Sequence, residues 1–206
     1  MSGDNWGDEA PLTSGGGGSD RWVKPKLWPV KNGAYVGIIR LLSGRILFWE
    51  GWANGKPIRA SYQGPSVPWT ACFPEGIVWD YDDKYKRSRT PAVHWGAFAA
   101  EAHAPDKIKF WQISQYSIQQ ALLDLAQSPK GPPTSYPIMV TMREKPKTTY
   151  SVQGLDKEPV DPVTAKAYAD LLAAGGKLEG ILTSEGPFPR SGATAPRAVD
   201  DGTIPF

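Results

Sequence analysis

The densest cationic run of the chain is Lys84-Tyr85-Lys86-Arg87-Ser88-Arg89, entered through Trp79 and Tyr81. Lysine and arginine neutralise phosphates, and aromatic faces stack on unpaired bases. Trp79, Tyr81, Lys84, Tyr85, Lys86, Arg87 and Arg89 are therefore the first candidate surface for a single-stranded nucleic acid. Its ordinary alternative is a solvated basic loop. A second group of the same composition, Arg45, Trp49, Trp52, Lys56 and Arg59, lies upstream. If 45–52 is a strand of period two, Arg45, Leu47 and Trp49 share one face while Ile46, Phe48 and Glu50 share the other. One of those faces must be core, and the face with Arg45 makes Trp49 the expected stacking ring. Lys107, Lys109 and Trp111 alternate with Ile108 and Phe110 in the same manner, and Arg40, near Ser43-Gly44, is placed to touch a phosphate backbone. Each stacked base supplies ~1–3 kcal/mol whatever its identity, so weak base preference is expected.

Catalytic chemistry has less to build on. Asp80, Asp82 and Asp83 are close enough in sequence to suggest Mg²⁺ in a nuclease. Alternating acids on a strand point to opposite faces, however, and no distant third carboxylate is set out by a motif. Cys72 is the one cysteine, and His94 and His103 are the two histidines. That count supports neither a disulfide framework nor a metal cluster, and nothing near His94 or Cys72 in sequence orients a nucleophile. The Gly15–Gly18 run is not followed by Gly-Lys-Ser/Thr, so it is not a phosphate loop. The expectation is a non-enzymatic protein with no cofactor and no metal.

Charge is segregated along the 206 residues. Residues 1–20 carry four acids and no base, a net −4; residues 21–150 carry 18 Lys/Arg against 9 Asp/Glu, a net +9; residues 151–206 have a net −3. A basic centre between acidic ends suits a polyanion-binding domain with self-screening tails. All nine tryptophans precede residue 112, inside or before that basic centre. Tryptophan also fills cores, so part of this set must be structural. No apolar run approaches the ~18 residues of a membrane span and the N-terminus lacks a signal-type apolar region, so a soluble, cytoplasmic protein is expected.

The elements that must position these residues are mostly strands. Short β-branched and aromatic runs punctuated by Gly, Pro, Asp and Ser predict strands at Ala34–Leu42, Arg45–Trp52, Pro57–Tyr62, Ile77–Tyr81, Val93–Glu101, Lys107–Ile113, Tyr136–Arg143 and Thr148–Gln153. Ser43-Gly44 suits a hairpin turn. Between the later strands a helix is predicted from Ser114, as cap, to Gln127. Ile118, Leu122 and Leu125 form its apolar stripe, with Gln119, Gln120 and Asp124 on its polar face. A second helix is predicted at Asp161–Ala174, with Asp161 as N-cap, Pro162 at its first position, Gly175-Gly176 as its stop and a stripe of Val163, Ala167, Leu171 and Ala174. The fold class expected is mainly β: an elaborated five-stranded Greek-key barrel of the oligonucleotide/oligosaccharide-binding (OB) type with one inter-strand helix. A sandwich of short strands is the alternative. The organisation expected is a flexible acidic arm at 1–20, the OB domain at 21–153, a helical extension at 154–182, and a disordered linker with an acidic tip at 183–206.

The segment Lys107-Ile108-Lys109-Phe110-Trp111-Gln112-Ile113-Ser114-Gln115-Tyr116-Ser117-Ile118-Gln119-Gln120-Ala121-Leu122 resembles the strand-then-helix segment of the phage-type single-stranded-DNA-binding proteins. Tyr136–Glu144 and Thr149–Val152 resemble that family's last two strands, and Lys56-Pro57-Ile58-Arg59 and Val93–Glu101 its central ones. Residues 60–92 are longer than the family's usual middle. The terminus Asp200-Asp201-Gly202-Thr203-Ile204-Pro205-Phe206 resembles the acidic tip of single-stranded-DNA-binding proteins, which ends in Ile-Pro-Phe. The resemblance implies an OB core that coats and protects single-stranded DNA in replication, recombination or repair in a phage-infected host. It also implies a tip, Asp200, Asp201, Ile204, Pro205 and Phe206, that recruits replication proteins such as a polymerase, helicase-primase or nuclease. A terminal Phe offers a ring and a carboxylate to such a partner. An RNA-binding OB protein remains the alternative, since basic-aromatic grooves do not themselves separate DNA from RNA.

Overall fold

The computed structural model of the protein describes residues 19–84, 86–183 and 186–189. Among them are strands β1 Val30–Lys31, β2 Ala34–Leu41, β3 Ile46–Ala53, β4 Lys56–Ser61, β5 Tyr81–Asp82, β6 Arg87–Ser88, β7 Ala92–Glu101, β8 Ala104–Ile113, β9 Ile138–Arg143 and β10 Thr149–Gly154. The helices are α1 Tyr116–Gln127 and α2 Pro162–Ala173. The chain is mainly β. Eight strands form one antiparallel sheet in the order β10-β9-β2-β7-β3-β4, with β1 on β2 and β8 on β7, while β5 and β6 form a separate ribbon. The sheet is open: among the described residues no ladder joins β8 to β10.

Ser43-Gly44 is not a hairpin turn. β8 occupies one edge of β7 over Trp95–Glu101, so β2 and β3, which pair with residues 99–101 and 92–96 of β7, follow one another along its other edge. The chain bends between them and the ladder is patched there. Leu42 N–H donates to the Phe98 carbonyl at 2.9 Å, and Ser43 Oγ accepts from Phe98 N–H at 2.9 Å. A serine hydroxyl thus replaces a backbone carbonyl at the bend. The tight hairpins lie instead at Asn32-Gly33 (φ 50° and 71°) and Asn54-Gly55 (φ 55° and 69°), joining β1 to β2 and β3 to β4. Positive φ at both central residues is what a type I′ turn requires, and Asn-Gly supplies it at little steric cost.

Alternation along the strands gives the sheet two apolar faces. One is built from Trp28, Ile39, Leu41, Trp95, Ala97, Ala99, Trp111, Ile113, Tyr136, Ile138 and Val140, closed by Ile118 and Leu122 of α1. Trp28 reaches this core because Gly37 leaves room: a Cβ there would lie 2.4 Å from the indole. The other face holds Phe48, Phe98, Phe110 and Ile181, with Trp22, Tyr168, Leu171 and Phe188 packed around them. Aromatic rings meet edge-on in this second core, Trp22 to Phe110 at 5.1 Å and Phe98 to Phe110 at 6.3 Å.

The helix predictions need three corrections. Gln115 rather than Ser114 is the N-cap of α1; it makes no side-chain cap, and its carbonyl accepts from Ile118 and Gln119 N–H at 3.1 Å each. Gln119, placed by sequence on the polar face, is buried and donates to the carbonyls of Ile113 (2.9 Å) and Val93 (3.3 Å). In α2, Asp161 Oδ1 accepts from Val163 and Thr164 N–H (2.8 and 3.3 Å), as its cap role requires. The buried face of α2 keeps Leu171 of the predicted stripe but not its ends, Val163 and Ala174. Val163 is exposed, whereas Thr164 donates to the Pro105 carbonyl at 2.8 Å and Tyr168 packs on Phe98 at 6.0 Å. A tyrosine ring buries more area than an alanine or valine, and it sets the phase. The predicted strand Ile77–Tyr81 shrinks to its last residue, because Trp79 is drawn off into a local aromatic cluster.

Candidate nucleic-acid interface

The side chains of β3 fall on alternate faces, and that alternation sorts the predicted site. Phe48 has no exposed surface, and Glu50 and Trp52 follow it on the same face. The chain before β6 and after it is tied to Trp52: Asp80 N–H donates to the Trp52 carbonyl (2.8 Å), Trp52 N–H donates to the Arg89 carbonyl (3.1 Å), and Arg89 N–H donates to the Asp80 carbonyl (2.7 Å). These bonds lay the Arg89 guanidinium over the Trp52 ring, 4.1 Å from its centroid. A guanidinium on an indole face is a cation–π pair. Partial burial lowers the Arg89 pKa by removing solvation. On β4, Arg59 lies directly across from Glu50, and its Nε donates to Glu50 Oε2 at 2.6 Å. Arg59, Trp52 and Arg89 thus line one face of the β3–β4 hairpin, drawn from both groups that the sequence singled out.

The rest of the first group is divided. Trp79 stands on the opposite face of β3, over Gly51, where a Cβ would come within 2.6 Å of its ring. It meets Trp69 and Phe73 edge-on at 5.8 and 5.2 Å, which makes it the centre of a small core rather than an open stacking ring. Tyr81 is exposed across from Ser88, and Lys84 and Lys86 are exposed at the ribbon's end. Lys86 pairs with Asp83 at 3.5 Å, and Arg87 is half-buried opposite Asp82. Tyr85 lies outside the described residues.

In the second group, Phe48 is core and Trp49 is half-buried; Leu47, on the Trp49 face, packs on the first core and Phe48 belongs to the second, so the strand has core on both faces rather than one. Trp49 packs against Tyr62 at 5.3 Å, and Arg45 lies 4.1 Å over Trp95; neither Tyr62 nor Trp95 was singled out by sequence. Lys56 and Lys107 are exposed. Arg40 donates from Nη1 to the Glu158 carbonyl at 3.0 Å, and burial lowers its pKa against the opposing pull of Glu158.

Two predicted contacts are corrected. Trp111 is 2% exposed and belongs to the core closed by α1. Lys109 is not open to phosphate; its Nζ is ion-paired with buried Glu101, which also accepts from Trp28 Nε1 at 2.5 Å. Over its second half, from Lys109 to Ile113, β8 is covered on both faces, one by α1 and the first core, the other by the second core, so alternation leaves no open side there, whereas Asp106 and Lys107 at its start stay exposed.

The acids of the nuclease alternative have structural partners. Asp80 Oδ2 accepts from Gly55 N–H at 2.8 Å, fastening the Asn54-Gly55 turn, and Asp83 pairs with Lys86. Among the described residues no three His, Cys, Asp or Glu side chains are grouped to hold a metal ion. No helix among them is long and apolar enough to cross a membrane. Asp200, Asp201, Ile204, Pro205 and Phe206 lie outside the described residues.

Sequence reasoning missed a buried polar row beside Trp52. Gln112 Nε2 donates to Glu50 Oε1 (2.8 Å) and to His94 Nδ1 (2.7 Å), and Glu50 takes Arg59 on its other oxygen. Glu50 and His94 are 7% and 6% exposed. The signal was present: Glu50 and His94 are polar residues in the middle of otherwise apolar strands, where a charge persists only if paired. Comparison of the sequence with protein-family models and with curated proteins gave no match.

Proposed function

We propose that the protein is a non-enzymatic, sequence-independent single-stranded-DNA-binding protein with an OB-type core, which coats and protects unpaired DNA during replication, recombination and repair. In this reading β2 and β3 are one long strand bent at Ser43, followed by β7, β8, the plugging helix α1, β9 and β10, in a Greek-key order whose sheet stays open between β8 and β10. The observation that carries the functional reading is the Arg89–Trp52 stack beside Arg59 on the β3–β4 hairpin. It joins an aromatic face to two guanidinium groups within a chain segment of net charge +9. Stacking and phosphate neutralisation are the two requirements of a binder of unpaired strands. The Ile204-Pro205-Phe206 tip, with Asp200 and Asp201, serves in the same proposal to recruit replication proteins.

Intrinsic tryptophan fluorescence tests this directly with an oligothymidine of ~20–30 nucleotides, long enough to exceed one OB-fold site, and with its duplex counterpart. Quenching by the single strand, far weaker duplex binding and a log–log salt slope of about 0.7 per phosphate contacted are expected. Equal affinity for duplex, or none for either, overturns the reading. An RNA oligomer of matched sequence that outcompetes the DNA transfers it to RNA. Trp52→Ala should weaken oligothymidine binding by roughly 10- to 100-fold, the cost of one lost stacking platform, with little change in salt slope.

A further inference from the structure

The polar row that crosses β4, β3, β7 and β8 lies on the face that carries Trp52, and it has more hydrogen-bonding than a simple ion pair needs. We infer that Glu50 is the positioning residue for Arg59, held in place by Gln112 and neutral His94, and that protonation of His94 releases Arg59 from the single-strand face. The inference rests on the proposed function for its binding readout.

The hydrogen count fixes the state of the histidine. Gln112 Nε2 has two protons, one directed to Glu50 Oε1 at 2.8 Å and one to His94 Nδ1 at 2.7 Å. Nδ1 must then accept, which places the ring proton on Nε2 and leaves the imidazole neutral. A proton added at Nδ1 would oppose the Gln112 N–H. The acceptor within reach is Glu50 Oε1, 3.7 Å away. Drawing that carboxylate toward His94 takes it from the Arg59 Nε, now 2.6 Å from Oε2. The groups facing His94 are few: Glu50 from β3, Arg59 from β4, Gln112 from β8, and the Phe48 ring at 5.7 Å. The turn Leu178–Leu182, packed on β3, β4 and β7, brings Leu178, Ile181 and Leu182 to that side, while its Lys177 and Glu179 neighbours are exposed. Burial lowers the His94 pKa, opposed by Glu50 and reinforced by Arg59, which favours the neutral ring that the hydrogen bonds require.

The direction of the effect is diagnostic. Acidification adds positive charge and by itself strengthens binding to a polyanion. Release of Arg59 weakens it. Oligothymidine affinity should therefore fall by roughly tenfold, the factor for one lost charge-assisted contact, as His94 titrates below pH 6.5, and His94→Gln should abolish that fall. Circular dichroism at each pH keeps the comparison to folded protein. If wild type and His94→Gln bind with the same pH profile, the inference is overturned while the proposed function stands. If the wild type shows no single-strand binding at pH 7.5, the proposed function falls and this inference falls with it. A readout that needs no variant is ¹⁵N NMR of the wild type: the Arg59 Nε–H resonance should shift in step with the His94 ring nitrogens. An Arg59 signal that stays fixed while His94 titrates overturns the inference.

Discussion

Trp111→Ala is expected to cost the fold about 3–5 kcal/mol, the range for deleting a buried aromatic ring, and to lower the unfolding midpoint in urea accordingly. Trp111 is 2% exposed and packs with Trp28, Ile113 and Tyr136 under α1, so its loss leaves a cavity that β7 and β8 cannot collapse to fill. Its effect on binding should be the reverse of that at Trp52. Protein that remains folded should bind oligothymidine with wild-type affinity, because the ring has no surface to offer a base. Chemical denaturation followed by titration below the transition separates the two readouts. A fall in affinity without loss of stability would return Trp111 to the interface and sink the assignment of β8 to the core.

Lys109→Met is expected to destabilise by roughly 3–5 kcal/mol, the cost of leaving a buried charge without its partner. Glu101 is 2% exposed; with Lys109 gone it retains the Trp28 indole N–H at 2.5 Å and an exposed His103 at 3.9 Å. The double change Glu101→Gln with Lys109→Met should recover most of that loss, since a neutral amide keeps an acceptor for Trp28 and no charge is stranded. Four denaturation curves complete the double-mutant cycle. A coupling energy near zero would mean that Lys109 reaches water in solution and is open to phosphate, as its sequence setting suggests.

The order of elements was largely legible in the sequence because it is written in local terms. Period-two runs marked β2, β3, β4, β7, β9 and β10 to within a few residues, and Asp161-Pro162 marked the start of α2. The Asn32-Gly33 and Asn54-Gly55 hairpins carry an equally local signal, which sequence reasoning passed over in favour of Ser43-Gly44; Asn-Gly takes positive φ at both turn positions at little cost. Ser43-Gly44 misled because a bend and a turn use the same residue types; which one forms depends on whether the flanking strands pair with each other or with a third strand.

For the site, the sequence by itself determined the materials: a basic, tryptophan-rich segment between acidic ends, and a period-two strand with Trp49 and Phe48 on opposite faces. The tertiary structure alone decided which of those side chains are open. Lys109 and Trp111 read much like Arg89 and Trp52 in sequence, yet Trp111 is buried and Lys109 is ion-paired with Glu101, whereas Arg89 and Trp52 stack at the hairpin. Exposure is a property of what lies across from a residue: α2 begins 51 residues after Trp111 (162 against 111), and even the near neighbours Glu101 and α1 close over β8 only when the sheet and helix pack. The row of Glu50, Arg59, His94 and Gln112 has the same origin: four residues from four strands, meaningless apart, become one network when the strands take the order β4-β3-β7-β8.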